Sequence, residues 1–363
     1  MPEESNRPLL TFGIVAYNQE TFIQEAVLGA FSQTYSPLQI ILSDDCSGDS
    51  TFHIMREMAA HYRGPHQVGL NQNPRNEGLC AHVNRVAGLA QGQLIVGSAG
   101  DDISLPNRAE RIYEAWEDSG RKATSISSRY NVINEHGRPA EYPDQAVDRL
   151  PGQVGPFIHL HTSPAEYIST LRPHVSGCTH AFSPRLFSIF GPLSKDVTYE
   201  DTALGFRSVL AGALTVIDEP LVKYRRHTNN LYAPLSKSSI LDADWYARLL
   251  AQSARESTRF AALYTSFHSD LAAAKERGLV PLGQYSELRR MINCQVRLFS
   301  LQARFYQGGL LQRWRSWGLL LCAGASRSLL SGLKSHLMPR FCSATLLVKR
   351  NRARLAQEAN PAT

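Results

Sequence analysis

Two pairs of adjacent carboxylates stand in the first third of the chain. Asp44 and Asp45 form one pair, Asp101 and Asp102 form the other, and each follows an apolar run that predicts a buried strand. Adjacent carboxylates repel one another, so a cation or a hydrogen-bond donor has to compensate them. In open α/β sheets ligands bind beyond the carboxyl ends of the strands. We therefore expect both pairs to border one crevice, where a metal-bound diphosphate could sit.

The segments that carry these pairs alternate between strand and helix patterns. Strands are predicted over residues 9–16 and 40–45, near 68–70, and before Asp101; helices are predicted over 21–33, 52–62, 80–90 and 106–118. This alternation predicts an α/β fold in which helices cover both faces of a mostly parallel sheet.

The pattern weakens after residue 118. Residues 119–164 are rich in Pro, Gly, His and Arg, which predicts a loop-heavy connector over the site. Further on, a helix is expected just after Glu200 and Asp201, followed by two short extended pieces over 215–218 and 220–227. Beyond Asp242 the pattern is helical.

The composition indicates a globular protein of two or three units. The 363 residues are 43% hydrophobic and 19% charged, and no apolar run approaches the roughly 18 residues of a membrane span. The first residues are polar and lack the apolar core of a signal peptide, which predicts a cytoplasmic location. The six cysteines are scattered, and we expect reduced thiols.

Several short motifs occur in a fixed order along the chain. They are Tyr17-Asn18, Gln33-Thr34-Tyr35, Asp44-Asp45-Cys46-Ser47-Gly48-Asp49, Asn76 with Gly78, Ala90 with Gly92, Gly100-Asp101-Asp102, Glu200-Asp201 and Tyr224-Arg225-Arg226-His227. In this order they resemble the family 2 glycosyltransferases over about residues 8–230. The resemblance implies a GT-A fold, a Rossmann-like and mostly parallel sheet with flanking helices, plus a helical, basic C-terminal region.

This resemblance also divides the chain. It implies a nucleotide-sugar-binding half over 8–118, an acceptor-binding and catalytic half over 119–235, and the basic helical region over 236–363.

The same resemblance implies the binding of a nucleotide-diphosphate sugar. Asp45 would accept a hydrogen bond from the imide of uracil or thymine, which favours a UDP- or dTDP-sugar. Tyr17 would line the base pocket, and Asp101 would hold the ribose or the metal. Arg225 or Arg226 would brace the diphosphate.

A divalent cation should neutralise the leaving diphosphate. Mn²⁺ or Mg²⁺ would be held by Asp102 and His227, with two phosphate oxygens and water. Many relatives carry another Asp two positions before Asp101, where this chain has Ala99. The alternative for the two aspartates is a solvated turn between strand and helix.

An inverting enzyme also needs a general base for the acceptor hydroxyl. The resemblance implies Asp201, with Glu200 as the alternative. The alternative for both is an acidic first helical turn that complements the helix dipole.

The C-terminal part of the chain is strongly basic. Residues 288–357 contain thirteen Lys or Arg and no Asp or Glu, so the net charge of +6 leaves −7 for the remainder. These cations are interleaved with Trp and Leu, which fits either a solvated cationic face or an interfacial segment on anionic phospholipid. Nucleic-acid binding is not expected, because no helix-turn-helix, RNP or finger pattern accompanies the charge.

The leading hypothesis is an inverting, metal-dependent, hexosyltransferase-type enzyme of bacterial surface polysaccharide synthesis. It would act on a lipid-linked or glycan acceptor, peripherally on the inner face of the cytoplasmic membrane. The alternative is a non-catalytic nucleotide-sugar- or glycan-binding protein on the same scaffold, which Ala99 would favour if it marks a decayed metal site.

Overall fold

The computed structural model describes residues 7–140, 155–160, 162–172, 175–228, 230, 245–322, 325, 329–330 and 333. The strands in these ranges are β1 (Leu10–Ala16), β2 (Leu38–Asp44), β3 (Gln67–Gln72), β4 (Ile95–Ala99), β5 (Ile103–Ser104), β6 (Ala123–Asn134), β7 (Phe157–Leu160), β8 (Ala181–Phe182) and β9 (Ala213–Arg226). The helices are α1 (Ile23–Phe31), α2 (Thr51–His61), α3 (Leu79–Leu89), α4 (Arg108–Asp118), α5 (Pro164–Thr170), α6 (Arg185–Phe190), α7 (Glu200–Ala211), α8 (Trp245–Glu276), α9 (Leu282–Gln307) and α10 (Leu310–Cys322).

All nine strands belong to one sheet, in the order β3-β2-β1-β4-β8-β6-β9-β5, with β7 paired to β9. Strands β1 to β4 are parallel, and β6 and β9 are parallel to one another. The short strand β8 runs antiparallel between β4 and β6. The predicted α/β class and the mostly parallel sheet are confirmed, as are the strands and helices predicted before residue 118.

The register brings the ends of several strands to the same edge. Ala16 pairs with Asp44, and Val15 pairs with Ala99, so β1, β2 and β4 end side by side. The core follows from this layering: Leu10, Phe12 and Ile14 of β1 are fully buried. Burial of this central strand on both faces explains its nearly continuous apolar sequence.

Strand β6 corrects the predicted connector. Residues 123–134 form a central strand rather than a loop, while 141–154 lie outside the described residues. Two of its buried serine hydroxyls pair with other elements: Ser125 Oγ lies 2.8 Å from His180 Nε2 and 2.7 Å from Ser208 Oγ. Ser127 Oγ lies 2.8 Å from Thr179 Oγ1. These pairs explain how a serine-rich segment can occupy the interior.

Strand β9 and helix α7 correct two further boundaries. The two short extended pieces predicted over 215–227 are one strand of 14 residues, whose pairing with β6 shifts register near Arg129. The irregularity accommodates Pro220, which cannot donate to the ladder. Helix α7 begins at Glu200 itself, so the acidic pair lies in its first turn rather than before it.

The chain divides into two compact units. One comprises Met1–Lys237 and Ser266–Met291, and the other comprises Ser238–Thr265 and Ile292–Thr363. Within the first unit, Arg207 of α7 pairs with Asp270 of α8 at 3.0 Å, and their side chains are only 4% and 2% exposed. Phe206 stacks on Phe267 with ring centroids 4.0 Å apart. This unit therefore includes part of the helical region that follows the sheet.

The second unit has its own apolar cluster, which includes Leu301, Phe305 and Leu320. The predicted helical character of the C-terminal region is thus confirmed over α8 to α10, while residues 334–363 lie outside the described part. Within the described helices, none has the length and hydropathy needed to cross a bilayer. The division into three domains over 8–118, 119–235 and 236–363 remains a prediction.

Candidate active site

A cavity of about 620 Å³ lies at the carboxyl edge of the sheet. Its wall includes five carboxylates: Asp45, Asp101, Asp102, Glu200 and Asp201. The expectation that both strand-end pairs border one crevice is therefore confirmed for three of their four residues.

Asp44 is the exception and does not line the cavity. It is fully buried, and its carboxylate accepts hydrogen bonds from the backbone N–H and the hydroxyl of Ser47 and from Gln72 Nε2. Asp44 therefore shapes the turn after β2, because its lone pairs are directed into the protein.

Asp45 is held by the loop that precedes α3. Its Oδ1 accepts from Asn73 Nδ2 at 2.7 Å and from the Glu77 backbone N–H at 3.0 Å. Its Oδ2 accepts from the Gly78 backbone N–H at 2.9 Å. Gly78 has a φ of 82°, a conformation that favours glycine. Tyr17, after β1, also lines the cavity.

The second acidic pair is fixed by the end of β9. Asp102 Oδ1 accepts from the Arg225 backbone N–H at 2.8 Å, and Asp101 Oδ2 lies 3.0 Å from His227 Nε2. Burial, and then the charge of Asp101, raise the pKa of Asp102 well above its ordinary value. Carboxylate oxygens and an imidazole nitrogen are ligand types that Mn²⁺ accepts.

Of the two predicted cation ligands, Asp102 lines the cavity, whereas His227 contacts its neighbour Asp101. His227 does not line the cavity; its ring packs on Phe22 with centroids 4.7 Å apart, and its Nε2 contacts Asp101. Among the described residues, no group of three or more His, Cys, Asp or Glu side chains is arranged so that it could hold a metal ion. A cation at this site would therefore need oxygen ligands from a bound diphosphate in addition to these side chains.

The side chains of the consecutive residues Arg225 and Arg226 have different surroundings. Arg225 is buried, and its guanidinium donates to Asp101 O at 2.9 Å, Glu135 O at 3.2 Å and Glu25 Oε2 at 2.9 Å. Arg226 lines the cavity. Successive strand residues face opposite sides, so only one of the pair can reach a ligand there, and the structure selects Arg226.

Glu200 and Asp201 line the cavity from the first turn of α7. Asp201 Oδ2 accepts from the Gly177 backbone N–H at 3.0 Å, and Oδ1 accepts from the Thr202 backbone N–H at 2.6 Å. Glu200 Oε2 is buried and finds no hydrogen-bond partner within the described part of the chain. Burial, and then the charge of Asp201, raise the pKa of Glu200 well above its ordinary value. Glu200 is therefore suited to hold a proton beside Asp201.

Gly177 makes room for this pair. A Cβ at this position would lie 2.5 Å from Glu200 Oε1, closer than real contacts allow. Gly177 and Cys178 both line the cavity, as does the ring of Tyr130. None of these three residues was predicted to lie at the site. Tyr130 lies on β6, which was predicted as a loop, so no pattern placed it at the site.

His82 was also missed. It lines the cavity from α3, one helical turn after Gly78. Its position four residues after a glycine that opens a helix was the available signal, because residues spaced by four share a helix face.

Comparison with known proteins identifies the family of the domain that carries most of this site. The model of glycosyl transferase family 2 matches residues 11–191. This domain belongs to glycosyltransferase family 2. The match ends before Glu200, Asp201, Arg226 and His227, so the family 2 domain supplies the strand-end carboxylates and the chain beyond it completes the cavity.

Several curated bacterial proteins are similar to this chain. EpsE of Bacillus subtilis, whose name assigns it to the glycosyltransferases, is 38% identical over 121 residues, or 33% of this chain and 42% of that protein. An uncharacterized glycosyltransferase of Haemophilus influenzae is 27% identical over 229 residues, or 62% of this chain and 67% of that protein. The chain spans less than half the length of EpsE, and 59% of an uncharacterized Mycobacterium bovis protein.

Similarity in structure extends beyond the family 2 domain. The crystal structure of S. aureus TarS 1-349 in complex with UDP-GlcNAc matches with a TM-score of 0.51 and 15% identity, and covers 94% of this chain and 92% of that one. At this identity the match supports the fold alone. The predicted GT-A arrangement, a mostly parallel sheet with flanking helices and C-terminal helices, is confirmed.

Proposed function

We propose that this protein is an inverting glycosyltransferase of the hexosyltransferase type, which transfers a sugar from a nucleotide-diphosphate donor to an acceptor hydroxyl. The observation that carries the proposal is the cavity where Asp45, Asp101 and Asp102 of the family 2 domain meet Glu200 and Asp201 of α7. Stability alone does not explain five carboxylates around one cavity, because like charges repel.

The donor would bind along the carboxyl edge of the sheet. Asp45 would accept from the imide of uracil or thymine, Tyr17 would line the base pocket, and Asp101 would hold the ribose. Arg226 would brace the diphosphate as a bidentate donor. A UDP- or dTDP-sugar is the donor class that this arrangement favours.

Asp102 and His227 would hold Mn²⁺ or Mg²⁺, with Asp101 adjacent. When bound, the cation would neutralise negative charge on the leaving diphosphate. The protein's part is to hold these ligands in place, which Arg225 does through its backbone N–H on Asp102 and its guanidinium on Asp101 O.

Asp201 would act as the general base. The acceptor oxygen forms a bond to the anomeric carbon, the bond from that carbon to the diphosphate oxygen breaks, and the acceptor proton passes to the Asp201 carboxylate. The N–H groups of Gly177 and Thr202 hold this carboxylate in place. Glu200, with its raised pKa, would remain protonated beside it.

The acceptor is proposed to be lipid-linked or a glycan in bacterial surface polysaccharide synthesis, at the inner face of the cytoplasmic membrane. The support comes from α10, where Leu310, Leu311, Trp314 and Leu321 are exposed on a helix that contains no acidic residue. Such a face suits an anionic phospholipid surface, which attracts the surrounding cations and takes up the apolar side chains.

A non-catalytic nucleotide-sugar- or glycan-binding protein is the second candidate, and Ala99 is the observation that favours it. Titration of UDP-, dTDP- and GDP-sugars with and without Mn²⁺, followed by an assay for donor turnover, separates the two. Mn²⁺-dependent binding with turnover that Asp102→Ala removes supports the transferase. Binding without turnover under any acceptor condition supports the binding protein, and binding of no donor overturns both.

A further inference from the structure

A chain of hydrogen bonds leads away from Asp45 beneath the cavity. Two backbone N–H groups, which can only donate, fix Asp45 as an acceptor. Asn73 must therefore present its amide Nδ2 to Asp45 Oδ1, which it does at 2.7 Å, and its Oδ1 is left to accept. Asn71 Nδ2 donates to that Oδ1 at 3.0 Å and to Ser43 Oγ at 2.9 Å. The charge of Asp45 thus orients both amides.

This series of hydrogen bonds ends at His82. Ser43 is fully buried, and among the described residues its hydroxyl contacts only Asn71, which donates to it, and His82 Nε2, which lies 2.6 Å away and is therefore the one acceptor for the Ser43 hydrogen. Burial lowers the pKa of His82, so the imidazole is neutral near pH 7. A neutral ring that accepts at Nε2 carries its proton on Nδ1. The orientation of Asp45 therefore selects one tautomer of His82.

The Nδ1–H group is free to meet a ligand. His82 lines the cavity, and among the described residues only Ser43 is a hydrogen-bond partner of its ring. The Asp45 carboxylate can also accept one more hydrogen bond. An ionised carboxylate has about four acceptor positions. Oδ1 already accepts two bonds and Oδ2 accepts one, so one position remains on Oδ2.

We propose that His82 reads the base of the donor nucleotide, by donating from Nδ1 to a carbonyl that flanks the imide N–H accepted by Asp45. The inference rests on the proposed function. It assigns His82 a role in selecting the donor, and it makes Asn73, Asn71 and Ser43 positioning residues that set its tautomer.

This arrangement discriminates between bases. Uracil and thymine present one N–H between two carbonyls, which matches one free acceptor on Asp45 and one donor on His82. Cytosine places a lone pair opposite Asp45. Guanine presents two neighbouring donors, for which Asp45 has a single position left. A site whose buried polar groups would be left unpaired rejects the analogue strongly.

Substitution of His82 offers a matched pair of variants. The amide of His82→Asn places a donor near the position of Nδ1, whereas the longer amide of His82→Gln places its nitrogen near Nε2, toward Ser43. Calorimetric titration of the whole chain with UDP, CDP and GDP in the presence of Mn²⁺ should show UDP bound at least roughly tenfold more tightly. His82→Gln should lose roughly tenfold in UDP affinity, while His82→Asn stays within about threefold.

A measurement on the unaltered protein is independent of folding in the variants. Replacement of O2 or O4 of UDP by sulfur weakens the acceptor, so one of the two thio-analogues should bind several-fold more weakly to the wild type. Unchanged affinity for both thio-analogues, UDP affinity retained by His82→Gln, or a preference for GDP would overturn the role of His82 and leave the transferase proposal standing. If the wild type binds none of these nucleotides, the proposed function and this inference fail together.

Discussion

His227 Nε2 and Asp101 Oδ2 lie 3.0 Å apart, although 126 positions separate the two residues in the chain. The contact joins the turn after β4 to the end of β9. It places an imidazole beside a carboxylate whose neighbour, Asp102, is buried. The two motifs that the sequence shows separately are therefore one structural feature.

Removal of His227 should weaken cation-dependent donor binding. His227→Ala deletes a proposed ligand that also contacts Asp101, and the loss should be at least the roughly 10- to 100-fold in metal affinity that removal of an orienting partner alone costs. The measurement is calorimetric titration of Mn²⁺ in the presence of UDP. His61→Ala, on the exposed end of α2, is the control and should bind as the wild type does. Equal Mn²⁺ affinity in both variants would exclude His227 from the site.

Asp201→Asn should abolish transfer while UDP-sugar binding persists. The amide keeps the size of the side chain but cannot take up the acceptor proton, and a general base contributes typically 10²–10⁴-fold in rate. Single-turnover assays give the rate, and titration gives the donor affinity. The matched control is Asp196→Asn, an exposed acid shortly before α7, which should leave both quantities unchanged. Normal turnover in Asp201→Asn would transfer the role to Glu200 or elsewhere.

Glu200 should make the stability of the protein depend on pH. Its pKa in the folded state is raised above the ordinary 4.5, so its stabilising proton is fully bound below that value and is lost as the pH rises through the raised pKa. Glu200→Gln mimics the protonated form, so the stability of this variant does not fall in this way as the pH rises. The excess in unfolding temperature of the variant over the wild type should therefore grow from about pH 5 to about pH 8.

Thermal unfolding across this pH range is the measurement. Glu57→Gln on α2, where the side chain is 52% exposed, should follow the wild-type curve throughout. A constant difference between Glu200→Gln and the wild type would mean that Glu200 ionises normally in the folded protein.

Asp270→Ala should destabilise the first unit by about 3–5 kcal/mol, because it leaves the Arg207 guanidinium buried without its carboxylate. Urea unfolding at constant m-value gives the free energy of unfolding. Glu117→Ala removes one side of an exposed pair with Arg121 and should leave the unfolding midpoint almost unchanged. Equal midpoints for the two variants would show that the buried pair does not stabilise the fold.

Leu311→Glu should reduce binding to anionic vesicles. Leu311 is 86% exposed on α10 beside exposed Trp314, and transfer of a leucine side chain out of water is worth about 1.5–3 kcal/mol. Co-sedimentation with vesicles of phosphatidylglycerol and phosphatidylcholine should show at least about a tenfold loss in partitioning. The control is Leu282→Glu on α9, where the leucine is 74% exposed, and its partitioning should match that of the wild type. Wild-type protein that ignores anionic vesicles at low salt would exclude the membrane surface as a partner.

Local sequence patterns predicted strands β1 to β4 well. An apolar run, an acidic pair and a turn mark the ends of β2 and β4, and a helical period follows. Such signals depend on residues near one another in sequence. They were sufficient to place Asp45, Asp101 and Asp102 at one edge, because parallel strands end together.

The remaining features, strand β6 and the orientation of the two arginines, depend on contacts between residues that are distant in sequence. Ser125 and Ser127 make β6 polar in sequence, and only their partners on other elements make that segment a buried strand. The alternation of strand residues predicts that Arg225 and Arg226 diverge, but not which one faces the ligand. Glu25, 200 positions away, binds Arg225 and fixes that choice.

The Arg207–Asp270 pair has a consequence for how the nascent chain folds. Asp270 is synthesised 63 residues after Arg207, which corresponds to roughly 3 to 13 seconds of translation at about 5–20 residues per second. During that interval the α7 segment has emerged without the carboxylate that its guanidinium needs for burial. We therefore expect the helix that carries Glu200 and Asp201 to dock only after Asp270 has emerged, so that the cavity is completed later than the strands that end near Asp45 and Asp101.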